Sequence, residues 1–279
     1  MPFRKIAKKI LSKSPSLYTA VHTLKFQQQH KQDFSKFTGK DKELLLEIQK
    51  NGYAIISDFF DEELCKVCIN DMNWMFENKK EFVHKREDLR IFGAEELSEN
   101  IMKFSDNELF NKLANAYNAV PTRCGFTLAG KIEATGQEYG SGGPWHRDSY
   151  FRQFKSIIYL NDVDENNGPF QLVKYSHLPK KKLEDKKTAQ LEEMHSSFNQ
   201  ENVEKILKDN PKRLKTFTGK AGTVLLVDSS IIHRGIPLKQ GVRYALTNYF
   251  FEKTQLNQHT IEHFSPLVAP EKILKMATS

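Results

Sequence analysis

At Pro121 the apolar residues of this chain change from helical to alternating spacing, and that change limits the possible folds more than any other feature. Before it, Leu44, Leu45 and Ile48, then Leu64, Cys68, Met72 and Met75, then Leu109, Phe110, Leu113 and Tyr117 recur three or four residues apart, as on one face of a helix. Asp41 and Asp61 stand where helix caps are needed, Asn51-Gly52 supplies a stop, and 106–120 forms the third candidate helix. Tyr53-Ala-Ile-Ile-Ser between the first two helices reads as a short buried strand. After Pro121 the period is two. Strands are expected over 125–134, 155–161, 170–174, 214–218, 223–227 and 242–251, separated by Gly, Pro, Asn and Asp turns. Short strands after a helical preface predict an antiparallel barrel or sandwich supported by helices.

The chain has 279 residues and a net charge of +7, and the whole excess lies in the first fifty residues, with eleven basic side chains against four acidic. A body with balanced charge offers no broad face for a phosphate backbone, so nucleic acid is not an expected partner. We divide the chain into a basic arm, 1–40, and one domain, 41–279: a helical preface 41–120, a β core 121–252 with a polar helical or flexible insert 178–212, and a tail 253–279. An insert of that length reads as a lid, a substrate loop or disorder. The arm begins with Phe3, Ile6, Ile10 and Leu11 at near-helical spacing among lysines. Such a helix either lies on an anionic membrane surface or packs its stripe on the body. No stretch is long and apolar enough to span a bilayer. With no export signal and three Cys, a reducing cytosol is the expected compartment, with peripheral membrane contact open to the arm. Cys65 and Cys68 lack a second ligand pair and read as core residues.

His146 is followed two residues later by Asp148 in Trp-His-Arg-Asp. On extended backbone, i and i+2 point the same way, so one imidazole and one carboxylate can meet one ion. His233, beyond the apolar strand 223–227, can complete a set of two His and one carboxylate that leaves the open positions a non-haem Fe(II) oxygenase needs. Arg243 shares a strand face with the small Ala245 and offers a planar fork for a second, distal carboxylate. Lys155 and Tyr159 share another strand face; either they reach a cosubstrate or substrate, or they are a snorkelling lysine and a core tyrosine. His177 reads as structural. Tyr150, Phe151, Arg152 and Phe154 form an aromatic and cationic run suited to an anionic or sugar-like molecule, or else an exposed loop.

These segments resemble, in order, the phytanoyl-CoA dioxygenase family of Fe(II)/2-oxoglutarate oxygenases. The likeness runs from Tyr53 to Phe251 through Pro-Trp-His-Arg-Asp, Lys155-Ser-Ile-Ile-Tyr-Leu-Asn-Asp-Val, Glu165-Asn-Asn-Gly-Pro-Phe, Tyr175-Ser-His, Gly219-Lys-Ala-Gly-Thr-Val-Leu-Leu-Val-Asp, His233 and Arg243. One departure is Tyr175, where the family often has Gly. The resemblance implies a mainly β fold with flanking helices, built on a double-stranded β-helix (jelly-roll, cupin-like) core. It also implies His146, Asp148 and His233 as iron ligands, Arg243 on the distal carboxylate of 2-oxoglutarate, and O2 as oxidant. Since related halogenases replace the carboxylate ligand with a small residue, Asp148 favours hydroxylation. The expected substrate is a small molecule, an anionic lipid or glycan intermediate. The competing reading is a non-catalytic double-stranded β-helix protein that binds a metabolite or metal.

Overall fold

The computed structural model describes residues 15–278; the basic segment Met1–Lys13 lies outside the described residues. In chain order the elements are α1 (Pro15–Gln29), α2 (Gly39–Asn51), β1 (Tyr53–Ile56), α3 (Glu62–Asn78), β2 (His84–Lys85), β3 (Leu89–Phe92), α4 (Glu99–Ser105), α5 (Glu108–Asn118), β4 (Thr122–Glu133), β5 (Trp145–His146), β6 (Phe154–Tyr159) and β7 (Phe170–Val173). There follow α6 (Pro179–Ala189), β8 (Ser197–Phe198), α7 (Gln200–Leu207), β9 (Leu214–Phe217), β10 (Val224–Asp228), β11 (Ile232–Gly235), β12 (Val242–Glu252), α8 (Gln258–His263) and α9 (Pro270–Thr278). Among the described residues no helix is long and apolar enough to cross a membrane.

The strands form two antiparallel sheets, a major one in the order β1-β10-β6-β12-β4-β3-β2 and a minor one in the order β8-β5-β11-β7-β9. They face each other as a jelly roll, the architecture the resemblance implied. Between them, Ile157, Tyr159, Leu225 and Val227 of the major sheet pack with Phe170, Leu172 and Phe217 of the minor one. The outer face of the major sheet carries Phe154, Ile158, Leu226, Leu246 and Phe250, which pack with Leu44, Ile48, Met72, Phe104 and Phe110 of the helices. Strand β6 is thus buried on both faces, and its polar members Lys155 and Ser156 are buried with the rest.

The six strands expected beyond Pro121 all form, with ends displaced by up to three residues. Asp61 caps α3 by accepting from the Leu64 amide at 2.7 Å; of the expected stripe, Cys68, Met72 and Met75 are buried and Leu64 is half-buried, while Cys65 is buried beside them. Both cysteines belong to the core, where burial pushes the Cys65 thiol up to about 11 and the Cys68 thiol up to about 12. Asp41 does not cap α2. That helix begins earlier, with Thr38 at its N-cap, and places Asp41 in the first turn, where a carboxylate is favoured by the helix dipole.

In three regions the structure adds elements that the division of the sequence did not name. The helical preface contains a β2–β3 hairpin that joins the major sheet. The polar insert is a folded wall: β8 pairs with β5, α6 and α7 pack Ala189, Val203 and Ile206 against Trp145 and Ile232, and Arg213 grips Asp185 through two 2.8 Å bonds. The tail folds into α8 and α9, which bring Phe264, Leu267 and Ile273 onto Phe92, Phe126 and Phe251. In each case the helical or strand signal is too short, and the stabilisation comes from packing against distant segments.

Candidate active site

Strand parity decides which side chains enter the space between the sheets. From the major sheet come Lys155, Ile157 and Tyr159 of β6, Arg243, Ala245, Thr247 and Tyr249 of β12, Leu128, Gly130 and Ile132 of β4, and Arg90 and Phe92 of β3. From the minor sheet come His146, Phe170 and His233. Together they line a cavity of about 880 Å³, of the size that small-molecule sites occupy.

His146 and His233 are direct cross-strand partners on β5 and β11. Their ring centroids lie 4.4 Å apart. Asp148 enters from just beyond β5, its Oδ1 3.4 Å from His146 Nε2 and 3.7 Å from His233 Nε2. The three ligand atoms all lie within 4.8 Å of one another. Each imidazole bonds a backbone carbonyl through Nδ1, His146 to Pro144 at 2.8 Å and His233 to Ile231 at 2.9 Å. In both rings Nδ1 is therefore the donor, and Nε2 is aimed at the common point, which is the orientation a metal-bound histidine adopts.

The charges fit the same purpose. Burial and the neighbouring His146 push the His233 imidazole down to about 3, so it is neutral at physiological pH and free to ligate. Burial alone would raise the Asp148 carboxyl, but the Lys155 ammonium above all holds it well below the usual carboxylate range. Burial alone would likewise lower Lys155, but Asp148 and Tyr249 outweigh it and raise the ammonium. Lys155 bonds Asp148 Oδ2 and lies 4.4 Å from the Tyr249 ring centroid. It thereby leaves Oδ1, the oxygen nearest both imidazoles, for an ion.

Arg243 lines the same cavity and is buried. Its Nη1 donates to the Gly168 carbonyl, while Nε has no protein partner. Gly168 has φ +79, and a Cβ there would come within 2.2 Å of Leu238 Cδ1, so only glycine lets the Asn-Gly-Pro turn present that carbonyl. A buried guanidinium facing a cavity with an unsatisfied N–H is a standing demand for an anion. The donor set and this cation both fit an iron ion with a dicarboxylate cosubstrate.

Other expected residues are placed differently. The Tyr159 hydroxyl donates to the Phe217 carbonyl at 3.1 Å and accepts from the Phe170 amide at 2.9 Å, so only its ring faces the cavity. Tyr150, Phe151, Arg152 and Phe154 do not line the cavity, although Gln153 among them does: Phe151 stacks on Phe26 of α1 at 4.7 Å, Arg152 donates to the His30 carbonyl, and Phe154 is a core residue. His177 is buried and bonds the Gln49 carbonyl, as a structural histidine does. Tyr175 adopts φ +69, the left-handed conformation for which glycine is otherwise preferred. Asp88, Arg90 and the α8 residues at the cavity mouth were not singled out from the sequence; the only signal was the alternation of four residues in β3.

The phytanoyl-CoA dioxygenase family matches residues 48–239, more than half of the chain. No curated protein matches the sequence. Among solved structures, the fold is similar to that of the epimerase SnoN of nogalamycin biosynthesis in complex with Fe3+, alpha ketoglutarate and nogalamycin RO (TM-score 0.57, 14% identity, 77% of this chain and 84% of that one). It is also similar to the alpha ketoglutarate dependent carbocyclase SnoK of the same biosynthesis (TM-score 0.59, 16% identity, 78% and 85%). A third similar structure is EctD from S. alaskensis in its apoform (TM-score 0.59, 13% identity, 76% and 77%). The order of motifs along the chain, the jelly roll that gathers them and the family match lead to one assignment: the chain belongs to the phytanoyl-CoA dioxygenase family of non-haem Fe(II)/2-oxoglutarate-dependent oxygenases.

Proposed function

We propose that this enzyme hydroxylates a small anionic molecule, a lipid or glycan intermediate, with His146, Asp148 and His233 as the iron ligands and Arg243 as the partner of the 2-oxoglutarate distal carboxylate. The observation that carries the reading is the convergence of three ligand atoms within 4.8 Å in the same cavity as a buried guanidinium whose Nε lacks a partner. Bound iron with 2-oxoglutarate supplies the oxidising power, by coupling decarboxylation of the cosubstrate to O2 reduction. The chain's own groups do the rest. The two Nδ1–H bonds fix the imidazole rings, Lys155 turns Asp148 so that one oxygen is offered, and Arg243 sets the depth at which the cosubstrate is held. The aromatic walls, Phe170 and Tyr249 among them, limit water around the reacting groups.

Two basic groups that line the cavity, Arg86 and Arg90, support an anionic substrate. The N-terminal arm is the segment we assign to an anionic membrane surface. Exposed Leu17, Tyr18, Val21 and Leu24 on one side of α1 would extend its apolar stripe. Deleting Met1–Lys13 then releases the protein from anionic vesicles while turnover of a soluble substrate persists; undiminished vesicle binding removes that role.

The decisive experiment is anaerobic titration with Fe(II) and 2-oxoglutarate, followed by admission of O2. A visible metal-to-ligand charge-transfer band, then succinate release, is the expected result. Binding without succinate would instead support the non-catalytic binding reading.

A further inference from the structure

Arg90 lies on β3 with its side chain in the cavity, since its neighbours Leu89 and Ile91 point to the opposite face. Across the sheet it pairs with Gly130, Gly130 with Ala245, and Ala245 with Tyr159. The two small residues in the middle of this row make a trench with the guanidinium at one end. Behind the guanidinium stands Asp88, whose side chain is only 1% exposed. Its Oδ1 accepts from Arg90 Nε at 2.7 Å and its Oδ2 accepts from the Ser141 hydroxyl.

This is a different use of arginine from the structural one found elsewhere in the chain. Arg213 turns both terminal nitrogens onto Asp185. Arg90 is held by Nε alone, and no hydrogen bond among the described residues engages its Nη1 or Nη2. The fork is therefore oriented from behind and open in front, which is how a guanidinium is prepared to bind a carboxylate or phosphate bidentately. Arg90 and the three candidate ligands line the same cavity. A Cβ on Gly142, a glycine at φ +92, would lie 3.9 Å from both Arg90 Nη2 and His146 Nε2, so these two nitrogens are no more than about two such contacts apart. Leu128, Phe92 and Phe264 wall the same cavity with apolar surface, and Glu262 is the acid at its mouth.

We propose that Arg90, oriented by Asp88 and Ser141, anchors the anionic group of the primary substrate, an organic carboxylate or phosphate with an apolar remainder, so that the carbon to be oxidised lies close to that group. Arg86, exposed on the same hairpin, assists only at the rim. The proposal rests on the oxygenase reading above for what happens to the substrate, but anion binding at Arg90 can be measured without turnover.

The experiment is anaerobic calorimetric titration of the full chain, loaded with Fe(II) and 2-oxoglutarate, with octyl phosphate, octanoate and the neutral octyl glucoside. The wild type is expected to bind one or both anions and not the glucoside, the tighter anion naming the class. Arg90→Gln is expected to weaken anion binding roughly 10- to 100-fold, with the charge-transfer band of the cosubstrate complex unchanged, whereas Arg86→Gln costs less than about fivefold. Because Arg90→Gln leaves Asp88 buried without a cation, the double variant Asp88→Asn/Arg90→Gln, which removes both charges, is titrated alongside and decides the matter should the single variant fail to fold. Unchanged anion affinity in these variants, no anion binding by the wild type, or glucoside binding as tight as that of the anions overturns the proposal. Arg90-dependent anion binding in a protein that forms no cosubstrate complex leaves the anchor standing and removes the oxygenase reading instead.

Discussion

Under the proposed function His146 and Arg243 do separable jobs, one at the iron and the other at the cosubstrate. Removing one imidazole leaves two ligands for the metal, too few to hold Fe(II) in an open geometry. His146→Ala is accordingly expected to lose both iron binding and turnover, read by metal analysis and succinate release; normal activity would remove the ligand assignment. Arg243→Ala leaves the ligands intact but removes the cation facing the cosubstrate. We expect iron to be retained and 2-oxoglutarate binding to weaken by about 2–5 kcal/mol, measured as the shift in the cosubstrate titration. Lys155→Met tests orientation, since Asp148 loses the partner that holds Oδ2. A loss of about 10- to 100-fold in iron affinity is expected, the range for removing a group that orients a ligand, and unchanged affinity would make Lys155 a spectator.

At the scale of elements, the insert whose length reads as a lid, a substrate loop or disorder is a wall. It closes the edge of the minor sheet by pairing β8 with β5 and is fastened by the buried Arg213–Asp185 pair, 7% and 4% exposed. Asp185→Ala leaves that guanidinium uncompensated, and a loss of about 3–5 kcal/mol is expected in denaturant unfolding. Hydrogen exchange should locate the loosening in α6, β8 and α7. Protection confined to the sheets of the wild type, with the insert exchanging freely, would restore the lid reading. Much of this was written locally: the alternation beyond Pro121, the Asp61 cap and the stripe of α3 need only neighbours in sequence. The β2–β3 hairpin, β8, α8 and α9 were not legible, because each is too short to be stable alone and forms only where a sheet edge or an apolar face is already present.

At the scale of the whole molecule, burial sets the pH response. Lys182 of α6 is enclosed beneath Tyr150, bonded to the Tyr150 carbonyl and 3.2 Å from Ser230 Oγ. Burial, with Arg147 close by, pushes its ammonium down to about 7. The unfolded chain then binds more protons than the folded one between pH 7 and the ordinary lysine range, so this group makes stability rise with pH across that window. Lys182→Met is expected to flatten the rise, by on the order of 1–3 kcal/mol between pH 7 and 10, in thermal unfolding at a series of pH values. An unchanged slope would mean that Lys182 stays charged when buried.

By itself the sequence determined the class of the fold and the chemistry of the ligands. Alternation specifies which strand residues face inward, and two residues on one extended segment, His146 and Asp148, already share a direction. Only the tertiary structure decided the rest. His233 meets His146 because β11 pairs with β5, Lys155 reaches Asp148 across the cavity, and Arg90 enters the cavity because a four-residue strand joins the sheet beside Gly130. The physical reason is that side-chain direction is a property of the local backbone, whereas proximity between distant segments depends on register and packing, which exist only once the chain has folded.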